Sequence, residues 1–121
     1  MKDLLLLLSS VMIASVAQVL LKVGMTRVGR IAGFSEAPSM LLKAITNPIV
    51  FSGLAVFGLS SLTWLTALSR VKLSIAYPMV SLGYVAVVIF SWLVLKEPVK
   101  PITFVGCATV VIGVFLISRG L

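Results

Sequence analysis

The sequence predicts an all-α membrane protein, a single bundle of four transmembrane helices, and three observations carry that prediction. Of the 121 residues, 60% are hydrophobic and 11% charged, whereas a soluble domain carries roughly a quarter charged residues. The mean hydropathy is +1.23. The charged side chains leave long uncharged stretches between them, at 4–21, 44–69, 73–95 and 101–118. Each matches the roughly 17–25 residues that span the hydrocarbon layer as helix. Only helices and closed barrels satisfy the backbone in lipid, and these continuous apolar runs lack the alternation of barrel strands. Spans are therefore expected at about 4–22, 47–69, 73–95 and 101–118, in one domain covering 1–121.

The same composition excludes several function classes. The net charge is +7, but the bases flank apolar blocks, so anionic lipid headgroups rather than nucleic acid are the expected partner. There is no histidine and one cysteine, Cys107. A His-based triad, a Cys–His pair, an imidazole or multi-Cys metal site and an intrachain disulfide are all out of reach. No nucleophile–base constellation is visible, so no enzyme, metal or cofactor is expected.

In the first span, Ser10, Ala14, Gln18 and Lys22 recur every four residues and so drift slowly along one helix face. Lys22 sits where a lysine reaches the headgroups or a cavity. Gln18, one turn deeper, has no interfacial role and is assigned to a substrate pathway. The N-terminal Lys2, the Leu4–Leu8 run and Ser15-Val16-Ala17 also have the outline of a signal peptide, but a retained helix accounts better for the polar face. In the long connection that follows, Arg27 and Arg30 are candidates to meet a phosphate or lipid headgroups. Pro38 to Ile45 is expected to form a short interfacial helix. Asn47-Pro48 suits a cap and first helical position for the second span.

The second span carries Ser60, Ser61, Thr63, Trp64 and Thr66 in its later half, with Trp64 either in an aromatic belt or lining the pathway. The short link Arg70-Val71-Lys72 makes the second and third spans antiparallel neighbours. The third span presents a stripe of hydroxyls, Ser74, Tyr77, Ser81, Tyr84 and Ser91, from which Tyr77, Ser81 and Tyr84 join the pathway. Pro78 removes a backbone donor and Gly83 weakens the ladder, so a kink is expected there. Glu97, in the last connection, is expected to cap the fourth helix or pair with a nearby base. In the fourth span Gly106, Thr109 and Gly113 favour close helix approach, between protomers.

The segment Ser74-Ile75-Ala76-Tyr77-Pro78-Met79-Val80-Ser81-Leu82, then Leu95-Lys96-Glu97-Pro98, then Gly106 and Gly113, resembles the drug/metabolite transporter superfamily (EamA-like proteins). Its four-helix members are the small multidrug-resistance transporters and the aminoarabinose-phosphoundecaprenol flippase subunits. Gln18, Lys22 and the Glu97-Pro98 pair look more like the flippase type. Small multidrug-resistance exporters carry a glutamate in the first span, eight residues before the matching lysine; here that position is Ala14. Proton-coupled cation exchange needs a carboxylate in the pathway, and no acid lies within a span.

The resemblance thus implies a small multidrug-resistance-like bundle in the bacterial inner membrane. Its implied role is a flippase-type subunit moving a polyprenyl-phosphate-linked sugar or a similar amphipathic metabolite. Small-molecule or drug export by the same fold, and a non-transporting accessory subunit, are the alternatives. Four helices of about 10–12 Å diameter fill their own core, so the pathway is expected between protomers, in a homodimer or a heterodimer with a related four-helix subunit. Charge placement permits one protomer to be inverted: Lys2, Arg70, Lys72 and Arg119 lie at one end and Lys22, Arg27, Arg30, Lys43, Lys96 and Lys100 at the other, a weak orientation signal.

Overall fold

The computed structural model describes residues 2–119. Five helices follow one another: α1 (Lys2–Val28), α2 (Ala37–Thr46), α3 (Pro48–Leu68), α4 (Leu73–Leu93) and α5 (Pro101–Arg119). Among the described residues there is no strand. Four of the helices, α1, α3, α4 and α5, are long and apolar enough to cross a membrane. α2 is the short helix expected before the second span.

α1 has 27 residues, about 40 Å of helix, against roughly 30 Å of hydrocarbon. It therefore continues past Lys22, and its last turns stand beyond the apolar layer. Gly29 ends it with φ +113°, a left-handed conformation that glycine adopts without a Cβ penalty. Asn47 opens α3: its side-chain Oδ1 accepts from the N–H groups of Ile49 at 2.9 Å and Val50 at 3.2 Å, and Pro48 takes the first helical position. Replacing Asn47 by Ala leaves both donors without that partner and is expected to cost about 1 kcal/mol, read as a lower thermal midpoint in detergent.

α1 lies at the centre. It packs along α3 over much of its length and against α4 on its other side, while α3 and α4 have little contact with each other. Among the described residues α5 packs along α4 and no other helix, and nearly all of its side chains remain exposed. The core gathers at one end, where Leu7, Ala67, Ala76, Met79 and Val114 are buried together. Asp3 and Arg70 pair at 3.8 Å across that end, both largely exposed. From that end α3 and α4 separate on either side of α1, whereas α1 and α3 stay in close contact as far as Gly24 and Val50.

The close approach of α1 is permitted by three glycines. A Cβ on Gly24 would meet the backbone nitrogen of Val50 at 2.8 Å, and one on Gly53 would meet Leu21 at 3.0 Å. A Cβ on Gly83 would meet Val11 at 2.9 Å. Gly83 thus lies at the α1–α4 crossing, and α4 runs as one continuous helix through both Pro78 and Gly83. Gly106 and Gly113 have nothing within 4 Å of an added Cβ, so they make no close helix contact among the described residues.

Candidate functional site

Because α3 and α4 diverge on either side of α1, they leave a groove with α1 as its floor. Its volume is about 310 Å³, and it is lined by Ser10, Ala14 and Gln18 of α1, by Phe57, Ser60 and Trp64 of α3, and by Gly83 and Tyr84 of α4, among others. No charged side chain lines it. A second cavity of about 300 Å³ continues toward the divergent end, lined by Gln18, Val19, Lys22, Val87, Ser91, Leu95 and Glu97. Gln18 and Val87 belong to both walls. From Ser10 to Lys22 the two cavities follow about 18 Å of the α1 axis, more than half of the hydrocarbon thickness.

The α1 face carrying Ser10, Ala14, Gln18 and Lys22 is the continuous wall of this path. Ser10 is buried and its hydroxyl donates to the Ser60 carbonyl at 2.9 Å, tying the floor to one side. Ser15 donates to the Val11 carbonyl at 2.8 Å, with the Gly83 carbonyl of the opposite side at 3.5 Å. No buried side-chain polar atom among the described residues lacks a partner. The serines nearest the floor are therefore already bonded, and the polar side chains of the path without a hydrogen-bond partner among the described residues are Gln18, Lys22, Ser91 and Glu97 with the Tyr84 hydroxyl and the Trp64 indole.

The hydroxyl stripe of α4 divides. Tyr84 lines the first cavity and Ser91 the second, whereas Tyr77 and Ser81 line neither. Tyr77 is exposed, and the Ser81 hydroxyl donates to the Pro78 carbonyl of its own helix. The reason is geometric: a straight α-helix falls behind a seven-residue repeat by about 20° each time. The stripe therefore crosses α4 obliquely, and only its later members reach the α1 side. Trp64 lines the first cavity and also packs against the buried core.

Glu97 reaches the second cavity by an unusual turn. Lys96 takes a left-handed conformation, φ 55°, which costs a non-glycine residue roughly 1–2 kcal/mol. The Glu97 N–H then donates back to the Ser91 carbonyl at 3.1 Å, folding the connection over the end of α4. Glu97 consequently lines the same cavity as Lys22, although Asp3–Arg70 is the one ion pair within 4 Å among the described residues. Arg27 and Arg30 are exposed at the same end, outside both cavities. The hydrophobic members of the lining, Phe57, Val80 and Val87, carry no signal separating them from other apolar span residues. The serine and tryptophan cluster of α3 does.

No group of three or more metal-binding side chains occurs among the described residues. No solved structure matches the chain. Among curated proteins, the chain is 32% identical over 115 residues to a probable 4-amino-4-deoxy-L-arabinose-phosphoundecaprenol flippase subunit, ArnE, of Pseudomonas savastanoi pv. phaseolicola, covering 95% of this chain and 96% of that protein. It is 38% identical over 120 residues to a probable subunit of the same flippase, ArnF, of Erwinia tasmaniensis, covering 94% and 92%. An ArnF of Proteus mirabilis is 32% identical over 128 residues, covering 93% and 88%. The model of the EamA-like transporter family matches residues 1–119. A multi-pass helical membrane chain with a polar path along its central helix, matched over its whole described length, belongs to the EamA-like transporter family.

Proposed function

We propose that the chain is one subunit of a flippase in the bacterial inner membrane, moving a polyprenyl-phosphate-linked sugar or a similar amphipathic anion. The observation that carries this reading is the division of the path: an uncharged groove at mid-membrane depth joined, at Gln18, to a cavity bearing Lys22 at the interfacial end. Lys2 and Lys22 are twenty residues apart on one helix, about 30 Å, so Lys22 stands at headgroup level. There its ammonium meets a phosphate, with Arg27 and Arg30 offering further positive charge outside the cavity. The sugar passes along Gln18 and Tyr84, while a groove open between helices lets the polyprenyl chain stay in lipid.

Drug/proton antiport is disfavoured by the same geometry. Ala14 lines the first cavity, where exporters of the related type carry a glutamate, and no carboxylate replaces it. The assembly we propose is a pair, with a related four-helix subunit or a second copy. Each cavity is at the lower end of the roughly 300–1,000 Å³ of ligand sites, and α5, packed along α4 and no other helix among the described residues, leaves its remaining surface, including Gly106 and Gly113, for lipid or a partner.

The test is reconstitution of the chain, alone and with a related four-helix subunit, into proteoliposomes carrying a polyprenyl-phosphate-linked sugar. An impermeant reagent reports the fraction exposed on each leaflet. Exchange is expected to be at least about tenfold faster than in protein-free vesicles. No acceleration in either arrangement, with folded protein present, would overturn the reading.

A further inference from the structure

We infer that α2, with Phe34 just before it, docks on the anionic surface of the bilayer, its apolar arc seated among the upper acyl chains while Arg30 and Lys43 meet lipid phosphates. This goes beyond the flippase reading and holds whatever the path carries. The junction with α3 places the helix. Asn47 joins the two in an extended conformation, φ −71° and ψ 128°, so α2 does not continue the axis of α3. With 10 residues it is about 15 Å long, half of the roughly 30 Å hydrocarbon layer, and cannot cross it. It packs on α1 and α3 and leads into the start of α3, where Val50 meets Gly24, two residues past Lys22 on α1. α2 therefore lies at headgroup level.

Around its circumference α2 divides into three arcs. Ala44 is buried and Ala37 and Met40 are half-buried, which marks the side packed on the bundle. Leu41, Leu42 and Ile45 follow on the next arc, since each residue turns the helix by about 100°. All three are exposed, Leu42 to 65%. Phe34, in the turn before the helix, is 98% exposed. Exposed apolar side chains on the spans are covered by hydrocarbon, but these four stand at the end of the bundle, where water is the alternative. A surface helix resolves this by seating such an arc roughly 5–10 Å into the boundary between headgroups and acyl chains.

The third arc, Ser39, Lys43 and Thr46, completes the turn. Ser39 and Thr46 donate to carbonyls of their own segment, Glu36 at 3.0 Å and Lys43 at 2.9 Å, so the Lys43 ammonium is the outward polar group of that arc. Arg30 follows Gly29, where an added Cβ would meet the terminal methyl of Met40 at 3.6 Å, and this contact brings Arg30 beside α2. Neither base has a carboxylate within 4 Å among the described residues. Glu36 is the one acid between Lys22 and Asn47, against the bases Arg27, Arg30 and Lys43. Charge then chooses between the two surfaces that could cover the apolar arc. A second copy of this chain, itself of net charge +7, brings bases against bases, whereas an anionic leaflet brings the opposite sign and attracts each lysine or arginine held near it.

The experiment places a fluorescent label on the full chain in nanodiscs, at Leu42→Cys or Ser39→Cys in a Cys107→Ser background, with Ile45→Cys as a second reporter of the apolar arc. The nanodiscs hold phosphatidylcholine with about a quarter phosphatidylglycerol, and one lipid or the other is brominated near the top of its acyl chains. Labels at 42 and 45 are expected to be quenched by brominated lipid and shielded from aqueous iodide, and the label at 39 to show the reverse. At equal mole fraction, brominated phosphatidylglycerol should quench the label at 42 at least about threefold more than brominated phosphatidylcholine, given the attraction of each base to an anionic surface. That ratio should fall toward one in high salt and in the double variant Arg30→Gln/Lys43→Gln, with circular dichroism confirming that helicity is retained. Iodide reaching position 42 as readily as position 39 overturns the inference, as does a label at 42 shielded from both quenchers, which would put a protein partner on the arc. A lipid ratio near one, or one unaltered in the double variant, overturns it as well. All of these outcomes leave the flippase reading intact, since none of them measures transport.

Discussion

Lys22→Glu is expected to lower transport of a polyprenyl-phosphate-linked sugar by about a hundredfold or more. Removing a charge-assisted contact costs about 1.5–3 kcal/mol, which is roughly 10- to 150-fold, and the reversed charge adds repulsion against the phosphate. The variant should remain folded, because Lys22 is exposed and its side chain makes no hydrogen bond or ion pair within the described residues. Lys22→Gln should fall between, and Lys22→Arg should keep most of the activity, since a guanidinium also binds phosphate. Initial rates in proteoliposomes, with circular dichroism to confirm helicity, decide the matter. Equal rates in Lys22→Glu and wild type would remove the phosphate from this cavity.

The second large effect is on the fold. Gly24→Leu is expected to destabilise the chain by about 3 kcal/mol or more, at the upper end of overpacking costs. The side chain would enter at the α1–α3 crossing, where the nearest fixed atom is the backbone nitrogen of Val50, 2.8 Å from the new Cβ, and a backbone atom cannot step aside as a flexible side chain can. Gly58→Leu, in the same bundle, meets open space and should change stability by no more than about 1 kcal/mol, within the gain in helix propensity over glycine. Thermal unfolding of both variants in one detergent checks the contrast. Because α1 forms the floor of the groove, Gly24→Leu should also loosen the Ser10–Ser60 link and with it the first cavity.

The spans, their number and the polar face of α1 were legible in the sequence. They depend on the distances between charges and on a single helix's own periodicity, both local properties that lipid enforces by leaving no partner for a free backbone group. Asn47-Pro48 was legible for the same reason, because a cap is made by neighbours in sequence. The four-residue recurrence from Ser10 to Lys22 became a cavity wall without further information.

What the tertiary structure decided is which faces meet. Gly83, a candidate kink in the sequence, lies at the α1–α4 crossing, because the position of its missing side chain is defined by Val11 of another helix. Gly24 and Gly53, adjacent to ordinary apolar residues, carry the α1–α3 approach for the same reason. The hydroxyl stripe of α4 was visible, but not which of its members line the cavities, Tyr84 and Ser91, and which do not, Tyr77 and Ser81. Glu97 read as a residue of a short connection. Only the left-handed turn at Lys96 and the divergence of the helices place it across a cavity from Lys22, since two residues far apart in sequence share a site only through the packing between them.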